Sequence, residues 1–376
     1  MNRLPDFDGL RFLLCAGIAF FHFSFQFTID NEKINSIILT FAYFTDVFFI
    51  LSGLFLALRS SYGWNLARYT SFIGKRLARI YPLHVVAFSC FALISVLAAA
   101  GLFHPSTPPN MSWRDGLAQL LLVHSWGMGQ SLSYNYVSWS LSALFLMYLC
   151  FPLFDWFCKR LGSGVLVVVA IALLGGEYLA RSVGTPSLTR IQFADIGVFR
   201  ALPSFLFGMW LARRKHTDLP KPLIMLALAG CLVVFLFYHP QSAMDGVQTL
   251  EGPWRLVFLY FCTYILYAAS MQNIYTPLRW NGFVKLSRYS FGIFILHPLV
   301  GQFFFKIAFA ILPAEAAQSG FSALLLISGC TLISVLVAIA AWHLFENPIH
   351  RWAVRRIDLW MDRLGESAPM MRRRDA

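Results

Sequence analysis

Apolar runs of membrane-spanning length follow one another through the chain, separated by short polar connections. About 20 apolar residues in a helix cross the roughly 30 Å hydrocarbon core of a bilayer, and a helix satisfies its own backbone hydrogen bonds there. The pattern therefore predicts an all-α integral membrane protein with about ten transmembrane helices. The predicted helices are Asp8 to Ile29, Ile37 to Leu58, Tyr81 to Phe103, Trp139 to Phe157, Gly164 to Leu179, Leu202 to Leu211, Pro222 to Tyr238, Trp254 to Met271, Phe291 to Leu312 and Phe321 to Phe345.

Composition and charge support this class. Hydrophobic residues make up 58% and charged residues 13% of the 376 residues, which is too apolar for an ordinary soluble protein. The net charge of +12 does not indicate a nucleic-acid partner, because the basic residues lie in short clusters between apolar runs. With an inner N-terminus, 22 of the 30 lysines and arginines fall in inner segments. Such residues translocate poorly in short loops, so both termini are predicted to be cytoplasmic.

Three segments between or after the spans are not predicted to cross the membrane. Ser60 to Ile80 is predicted to form an amphipathic helix on the inner surface, although its basic residues could serve orientation alone. Leu117 to Trp126, which contains His124, is too short to span and is predicted to be a re-entrant or half-membrane helix covering an outward-facing site. The sequence thus predicts a transmembrane domain over residues 1–350 and a basic amphipathic cytoplasmic tail over 351–376.

The seven cysteines all lie within or at the ends of apolar runs, and no pair has the CxxC spacing. They are interpreted as small core residues, so neither a disulfide framework nor a metal site is predicted. The first apolar run carries an arginine and a histidine and lacks a small-residue cleavage site. It is therefore predicted to be a retained span, not a signal peptide.

Arg11 and His22 both lie in the first apolar run. Eleven residues correspond to about three helical turns, so the two side chains share one face and lie about 16 Å apart along the axis. Ionisable groups inside a span are costly and usually face a bundle interior or a wet cavity, which makes this pair a candidate for function. In the alternative reading, His22 only bonds a neighbouring helix and Arg11 only extends to the headgroups.

Other polar residues occur at depths that suit a site. Asp46 is expected at a depth similar to that of His22, where it could orient the imidazole; the alternative is a salt link to Arg181, Arg200 or Lys306. His297 precedes Pro298, which should kink the ninth helix, so His297 faces either the freed carbonyl or a cavity. Further candidates are Trp139, Ser140 and Ser142 near the outer face, where tryptophan and serine are also common without a functional role, and Glu346, which should pair with nearby arginines.

Taken together, these features resemble the acyltransferase 3 family of membrane O-acyltransferases over nearly the whole chain, from FDGLRF to FENP. The joint order and spacing of the motifs make the resemblance specific, although each fragment alone is weak. The matching marks are Arg11 and His22 as an Arg-x10-His pair, TDVFFILSGLF with Asp46, Ser52 and Gly53, KRLARIYPLHV with Arg76, Arg79, Tyr81 and Pro82, VSWSLS with Trp139, Ser140 and Ser142, FLFGM with Gly208, SRYSFGIFILHPLV with Tyr289 and His297, and FENP with Glu346.

The resemblance implies transfer of an acyl group, most often acetyl from acetyl-CoA, to a sugar hydroxyl, and it implies a bacterial inner membrane. It implies that His22 is the essential base, that Arg11 lies on the acyl-donor path, and that Arg76 and Arg79, with Tyr81 in the same motif, bind the CoA moiety. The chain lacks the carboxyl-terminal hydrolase-like domain of some relatives, which favours the single-domain exopolysaccharide-modifying type. Where relatives often carry a glutamate after WSLS, this sequence has Leu144.

The expected mechanism follows from the positions of the inner arginines, His22 and the outer-facing residues along the helices. A sugar hydroxyl of a polymer or a lipid-linked unit, arriving from the outer side, is deprotonated by neutral His22 as it attacks the thioester. An acyl-histidine intermediate is the alternative. Trp139, Ser140, Ser142, His124 and His297 are the predicted acceptor-binding residues, and Tyr148 is a further oxyanion donor candidate. Rival readings are a transporter or flippase for a glycan or an anion, and an enzyme with another donor such as succinyl-CoA.

Overall fold

The computed structural model describes residues 4–29, 31–59, 63–102, 112–129, 133–184, 187–188, 197–214, 219–237, 253–312 and 320–366. Every regular element in these ranges is helical, which confirms the predicted all-α class. The helices are α1 (Pro5–Ser24), α2 (Glu32–Thr40), α3 (Phe44–Arg59), α4 (Leu66–Ala99), α5 (Trp113–Leu120), α6 (Trp139–Leu149), α7 (Phe151–Leu161), α8 (Val165–Ser182), α9 (Gly197–Leu211), α10 (Lys221–Phe237), α11 (Pro253–Met271), α12 (Asn281–Leu286), α13 (Ser290–Ile311), α14 (Gly320–Ala341) and α15 (Asn347–Arg363).

Seven helical segments of the described chain are long and apolar enough to cross a membrane, and three shorter ones are also apolar. Each of the ten predicted spans overlaps one of these segments, and the number of crossings stays a prediction. The seven long segments are Pro5–Ser24, Glu32–Arg59, Leu66–Ala99, Phe151–Ser182, Pro253–Met271, Asn281–Ile311 and Gly320–Arg363, and the shorter ones are Tyr136–Leu149, Gly197–Leu211 and Lys221–Phe237. Predicted positions at residues 60–62, 103, 238 and 367–376 lie outside the described residues.

Helix α4 corrects the predicted boundary between an inner-surface helix and the third span. Its 34 residues form one helix that passes through Pro82. A proline inside a helix removes one backbone hydrogen bond and kinks the helix, a cost that neighbouring helices in a membrane protein can offset. At about 51 Å, α4 is longer than a hydrocarbon core, so part of it extends beyond the core. The side of the protein that holds its basic first half is the one predicted to be cytoplasmic and is called inner here. Lys75, Arg76 and Arg79 lie on this inner half.

Helices α3 and α9 approach each other at two glycines. A methyl group on Gly53 would overlap the carbonyl oxygen of Phe205, and one on Gly208 would overlap that of Ile50. Small residues allow membrane helices to pack backbone against backbone. Two of the motif glycines therefore hold these helices together, and this contact sets the positions of the charged residues near the outer ends of α3 and α9.

The outer connection contains the short helix α5 and an irregular turn, His124–Met128. The turn is tied to the start of α6: Ser125 Oγ donates to the carbonyl of Trp139 at 2.8 Å, and Trp126 Nε1 donates to the carbonyl of Ser142 at 2.9 Å. Ser142 Oγ in turn donates to the carbonyl of Leu122 at 2.8 Å. Side chains thus satisfy backbone groups that irregular chain leaves unpaired, as a buried connection requires. The half-membrane depth of this segment stays a prediction.

The carboxyl-terminal helix α15 packs along the inner half of α4. Lys75 Nζ lies 2.6 Å from Asp358 Oδ1, and Gly74 faces the side chain of Ile357. The predicted domain boundary at residue 350 falls inside α15, which begins at Asn347. The described part of the basic tail, residues 351–366, and the arginine-bearing part of α4 therefore form one packed unit.

Candidate functional site

A cavity of about 180 Å³ lies between α1, α3, α4, α6 and α13. Residues from the inner parts of these helices, such as Arg11 and Arg79, line it together with residues from their outer parts, such as Thr45 and Ser140. The cavity therefore runs along the axis of α1 and brings four predicted site residues together. Its lining consists of Arg11, Ile18, Thr45, Phe48, Phe49, Ser52, Arg76, Arg79, Ile80, Ser140, Leu141, Leu144, Tyr148, Ser287, Ser290, Phe291 and Phe294.

Three guanidinium groups in this lining lie mainly against aromatic rings. Arg11 lies 4.8 Å from the ring centre of Phe55, and Arg76 lies 5.9 Å from that of Tyr148. Arg79 forms an ion pair with Glu346, at 2.5 Å. In the described part of the chain neither Arg11 nor Arg76 has a carboxylate within ion-pair distance, although Asp8, one turn earlier on α1, interacts electrostatically with Arg11. Such partly desolvated cations attract an anion strongly, so this end of the cavity favours an anionic ligand.

His22 lies one helical turn beyond Ile18, where the cavity ends. Its Nδ1 is 2.9 Å from Nε2 of His297, and the two ring planes differ by 14°. The ring centres are 5.1 Å apart, much farther than the nitrogens, so the rings meet edge to edge. Nδ1 of His297 lies 2.8 Å from the carbonyl oxygen of Phe294. His297 is fully buried and has no ring nitrogen left for a ligand.

Tyr136 is a neighbour of His22 that the sequence analysis missed. Its ring centre is 5.1 Å from that of His22, and the planes are nearly perpendicular, at 79°. The adjacent Asn135 holds this segment in place by donating two hydrogen bonds. Its Nδ2 donates to the carbonyl of Ile295 at 2.9 Å, and its backbone N–H donates to Oε1 of Gln119 at 3.0 Å. Tyr136 lies in a connection without periodicity, and its signal was the aromatic residue just before VSWSLS.

Asp46 and Arg200 form a bidentate ion pair, with Arg200 Nε 2.9 Å from Oδ1 and Nη2 2.8 Å from Oδ2. Asp46 is fully buried and Arg200 is 2% exposed. This is one of the salt links that the sequence left open, and it replaces the expected contact between Asp46 and the imidazole of His22. The carboxylate is engaged by Arg200 because α3 and α9 meet at their glycines, whereas His22 meets α13.

Comparison with known proteins identifies the family of this chain. A family model described as an acyltransferase domain matches residues 4–343. The chain belongs to the acyltransferase 3 family. It is also similar to the acyltransferase MdmB of Streptomyces mycarofaciens, with 26% identity over 382 residues that cover 94% of this chain and 93% of that protein. No solved structure matches the chain.

Of the five acceptor-binding residues predicted for this acyltransferase, Ser140 lines the cavity, and the other four, including His297, are engaged elsewhere. The ring of Trp139 lies 5.2 Å from the guanidinium of Arg200. Ser142 is fully buried and bonds the outer turn. His124 lies 3.2 Å from Ser138 Oγ, and burial lowers the pKa of His124 to about 3, so this imidazole is neutral.

Tyr81, the remaining predicted residue, is half-buried and does not line the cavity of the acyltransferase. Its ring centre lies 6.1 Å from that of His84. The cavity instead contains Tyr148 from α6 and Ser52 from α3. The structure therefore divides the predicted residues into a cavity group with Arg11, Arg76, Arg79 and Ser140, a histidine pair with His22 and His297, and a packing group that ties the outer turn to α6.

Proposed function

We propose that this acyltransferase moves an acyl group from cytoplasmic acyl-CoA, with acetyl as the first candidate, to a sugar hydroxyl of an exopolysaccharide or lipid-linked glycan. His22 is the general base, and the protein acts in a bacterial inner membrane. The observation that carries the proposal is the cavity along α1, which has three guanidiniums at its inner end and finishes one turn from His22.

The donor side of the proposal rests on charge and shape. CoA carries several phosphate groups, and arginine binds phosphate through bidentate, charge-assisted hydrogen bonds. Arg11 and Arg76 have no ion-pair partner among the described residues, so both are available to such a ligand. The cavity follows α1 from Arg11 to Ile18, and Arg11 is about 16 Å from His22 along this helix. The pantetheine arm would lie along this length.

The reaction needs two proton transfers, one from the sugar hydroxyl to His22 and one from His22 to the departing CoA sulfur. The sugar oxygen attacks the thioester carbonyl carbon while His22 takes the hydroxyl proton. The carbon–sulfur bond then breaks, the CoA thiolate leaves, and the proton on His22 passes to it, which leaves an ester on the sugar. The developing oxyanion needs hydrogen-bond donors, and the hydroxyls of Ser140 and Tyr148 are the predicted donors that line the cavity.

The test is acyl-CoA turnover by protein in nanodiscs, read as CoA release with and without an exopolysaccharide acceptor. His22→Ala should lower turnover by about 100- to 10,000-fold, the usual contribution of a general base, without weakening acyl-CoA binding. His343→Gln is the matched control, because His343 is exposed, contacts Tyr289 and does not line the cavity. Acetyl-CoA and succinyl-CoA are compared as donors.

Two results would contradict the proposal. His22→Ala protein with turnover near that of the wild type would remove the base assignment. Wild-type protein that binds glycan but consumes neither donor would remove acyl-CoA as the co-substrate and support transport of the glycan.

A further inference from the structure

Pro298 leaves a carbonyl group of α13 without its helical partner. In an α-helix, the N–H of residue 298 would donate to the carbonyl of residue 294, but proline has no N–H. His297 supplies the missing donor, because its Nδ1 lies 2.8 Å from the carbonyl oxygen of Phe294 and 3.2 Å from that of Ile293. A carbonyl oxygen can only accept, so the proton of the neutral His297 ring is on Nδ1.

This assignment determines the protonation of His22. With its proton on Nδ1, His297 presents a lone pair at Nε2. Nδ1 of His22, 2.9 Å away, must then be the donor. A neutral His22 with its proton on Nδ1 has a lone pair on Nε2. In the described part of the chain the ring contacts His297 through Nδ1 and also lies against the backbone of Ile18, one turn earlier on α1. The order of bonds therefore runs from the Phe294 carbonyl through His297 to the basic nitrogen of His22.

We propose that His297 is a positioning residue, which holds His22 in the Nδ1–H tautomer and so leaves Nε2 as the base. This inference rests on the proposed role of His22. It replaces the expectation that His297 binds acceptor, since His297 is fully buried and both of its ring nitrogens are engaged. When Nε2 of His22 takes a proton, the Nδ1–H bond to His297 becomes charge-assisted and holds the cation in place.

Two amide variants separate the two bonds of His297. In His297→Gln, the amide oxygen reaches the position of Nε2 and can accept from His22. In His297→Asn, the shorter amide reaches only the position of Nδ1, so it can donate to the Phe294 carbonyl but cannot reach His22. Both variants keep a polar side chain of similar size, and thermal unfolding shows whether each one folds.

We expect His297→Asn to lower kcat by about 100-fold or more, because the base loses its favoured tautomer, and His297→Gln to stay within about tenfold of wild type. The KM for acyl-CoA should not change in either variant. Solid-state ¹⁵N NMR of histidine-labelled protein, with the His22 signal assigned by comparison with His22→Ala, should show the proton on Nδ1 in wild type and in His297→Gln. The signal should show a mixture of tautomers in His297→Asn.

The outcomes separate the two proposals. Turnover that survives in His22→Ala refutes the base itself. If His22→Ala is inactive but His297→Asn and His297→Gln share one kcat and one His22 tautomer, the base stands and the positioning role is refuted. A raised acceptor KM with unchanged kcat in both variants would instead show that His297 binds the acceptor.

Discussion

At the inner end of the cavity only one of three guanidiniums forms an ion pair, whereas in the outer half one guanidinium and one carboxylate neutralise each other. Arg11, Arg76 and Arg79 line the cavity, and Glu346 pairs with Arg79 alone. Aromatic faces cover the other two cations, and a ring is a weaker partner than an anion. With Asp8 near Arg11 and Glu346 on Arg79, three cations face two carboxylates, so the inner group carries excess positive charge.

In the outer half, by comparison, the polar groups already have partners within the protein. Asp46 uses both oxygens on Arg200, and His297 uses both ring nitrogens on Phe294 and His22. A buried ion pair with its hydrogen bonds complete leaves little affinity for a ligand, and its loss leaves a charge stranded in an apolar interior. The difference suggests a rule for this site. Side chains whose charges and hydrogen bonds are fully satisfied within the protein position the site, whereas charged side chains that lack an ion-pair partner bind the ligand.

The largest expected effect tests the outer half. Asp46→Asn leaves Arg200 buried without a countercharge, which should lower the free energy of unfolding by about 3–5 kcal/mol. The double variant Asp46→Leu, Arg200→Met should recover most of this loss, because apolar side chains of similar volume can replace a buried pair. Thermal unfolding in detergent measures both. A stable but inactive Asp46→Asn protein would show that Asp46 acts as a binding residue, which would contradict the assignment of the outer ion pair to a positioning role.

Asp358→Asn is the control for that measurement. Its partner Lys75 is also on a transmembrane helix, but the pair is partly exposed, with 41% of the Asp358 side chain accessible. Exposed pairs contribute about 0–1 kcal/mol, so this variant should unfold close to the wild type.

The sequence predicts the helical class and the stripe with Arg11 and His22 because both follow from local periodicity and length. Depth along a helix also places Asp46 near His22, but depth does not say which neighbouring helix each one faces. Three cations were possible partners for Asp46, and the glycine contact between α3 and α9 selects Arg200. Arg181 instead pairs with Glu177 on its own helix, at 3.1 Å.

Two other features depend on long-range packing. Helix α4 continues through Pro82, which a rule for isolated helices does not anticipate, because neighbouring helices in a membrane protein can offset the missing hydrogen bond. Tyr136 reaches His22 because Asn135 is anchored to α13, 160 residues away in sequence. His297 was predicted to face either the freed carbonyl or a cavity, and its two nitrogens bond that carbonyl and His22. A local pattern can offer these partners but cannot choose among them.

A smaller effect tests the inner end. Arg76→Met keeps the apolar contact with Tyr148 but removes the charge, so it should raise the KM for acyl-CoA by about 10- to 100-fold, the value of a charged hydrogen bond of about 1.5–3 kcal/mol. Stability should not fall, because Arg76 has no acidic partner to strand in the described chain. Arg214→Met is the matched control: Arg214 also lies on an aromatic ring, that of Trp210, but outside the cavity. An equal KM in the two variants would contradict the donor assignment.

The smallest effect concerns Glu346, the carboxylate that forms an ion pair with a cavity arginine. Glu346 Oε1 lies 2.5 Å from Arg79, so it competes with a donor phosphate for this guanidinium. Glu346→Gln removes the competing charge and should lower the KM for acyl-CoA about two- to fivefold, a small change because 27% of the Arg79 side chain is exposed and solvent screens the pair. Asp358→Asn removes the same charge from the same two packed segments, but away from the cavity, and should leave KM unchanged. A higher KM in Glu346→Gln would show that Glu346 holds Arg79 in its binding position, which would make the inner end a prearranged site like the outer one.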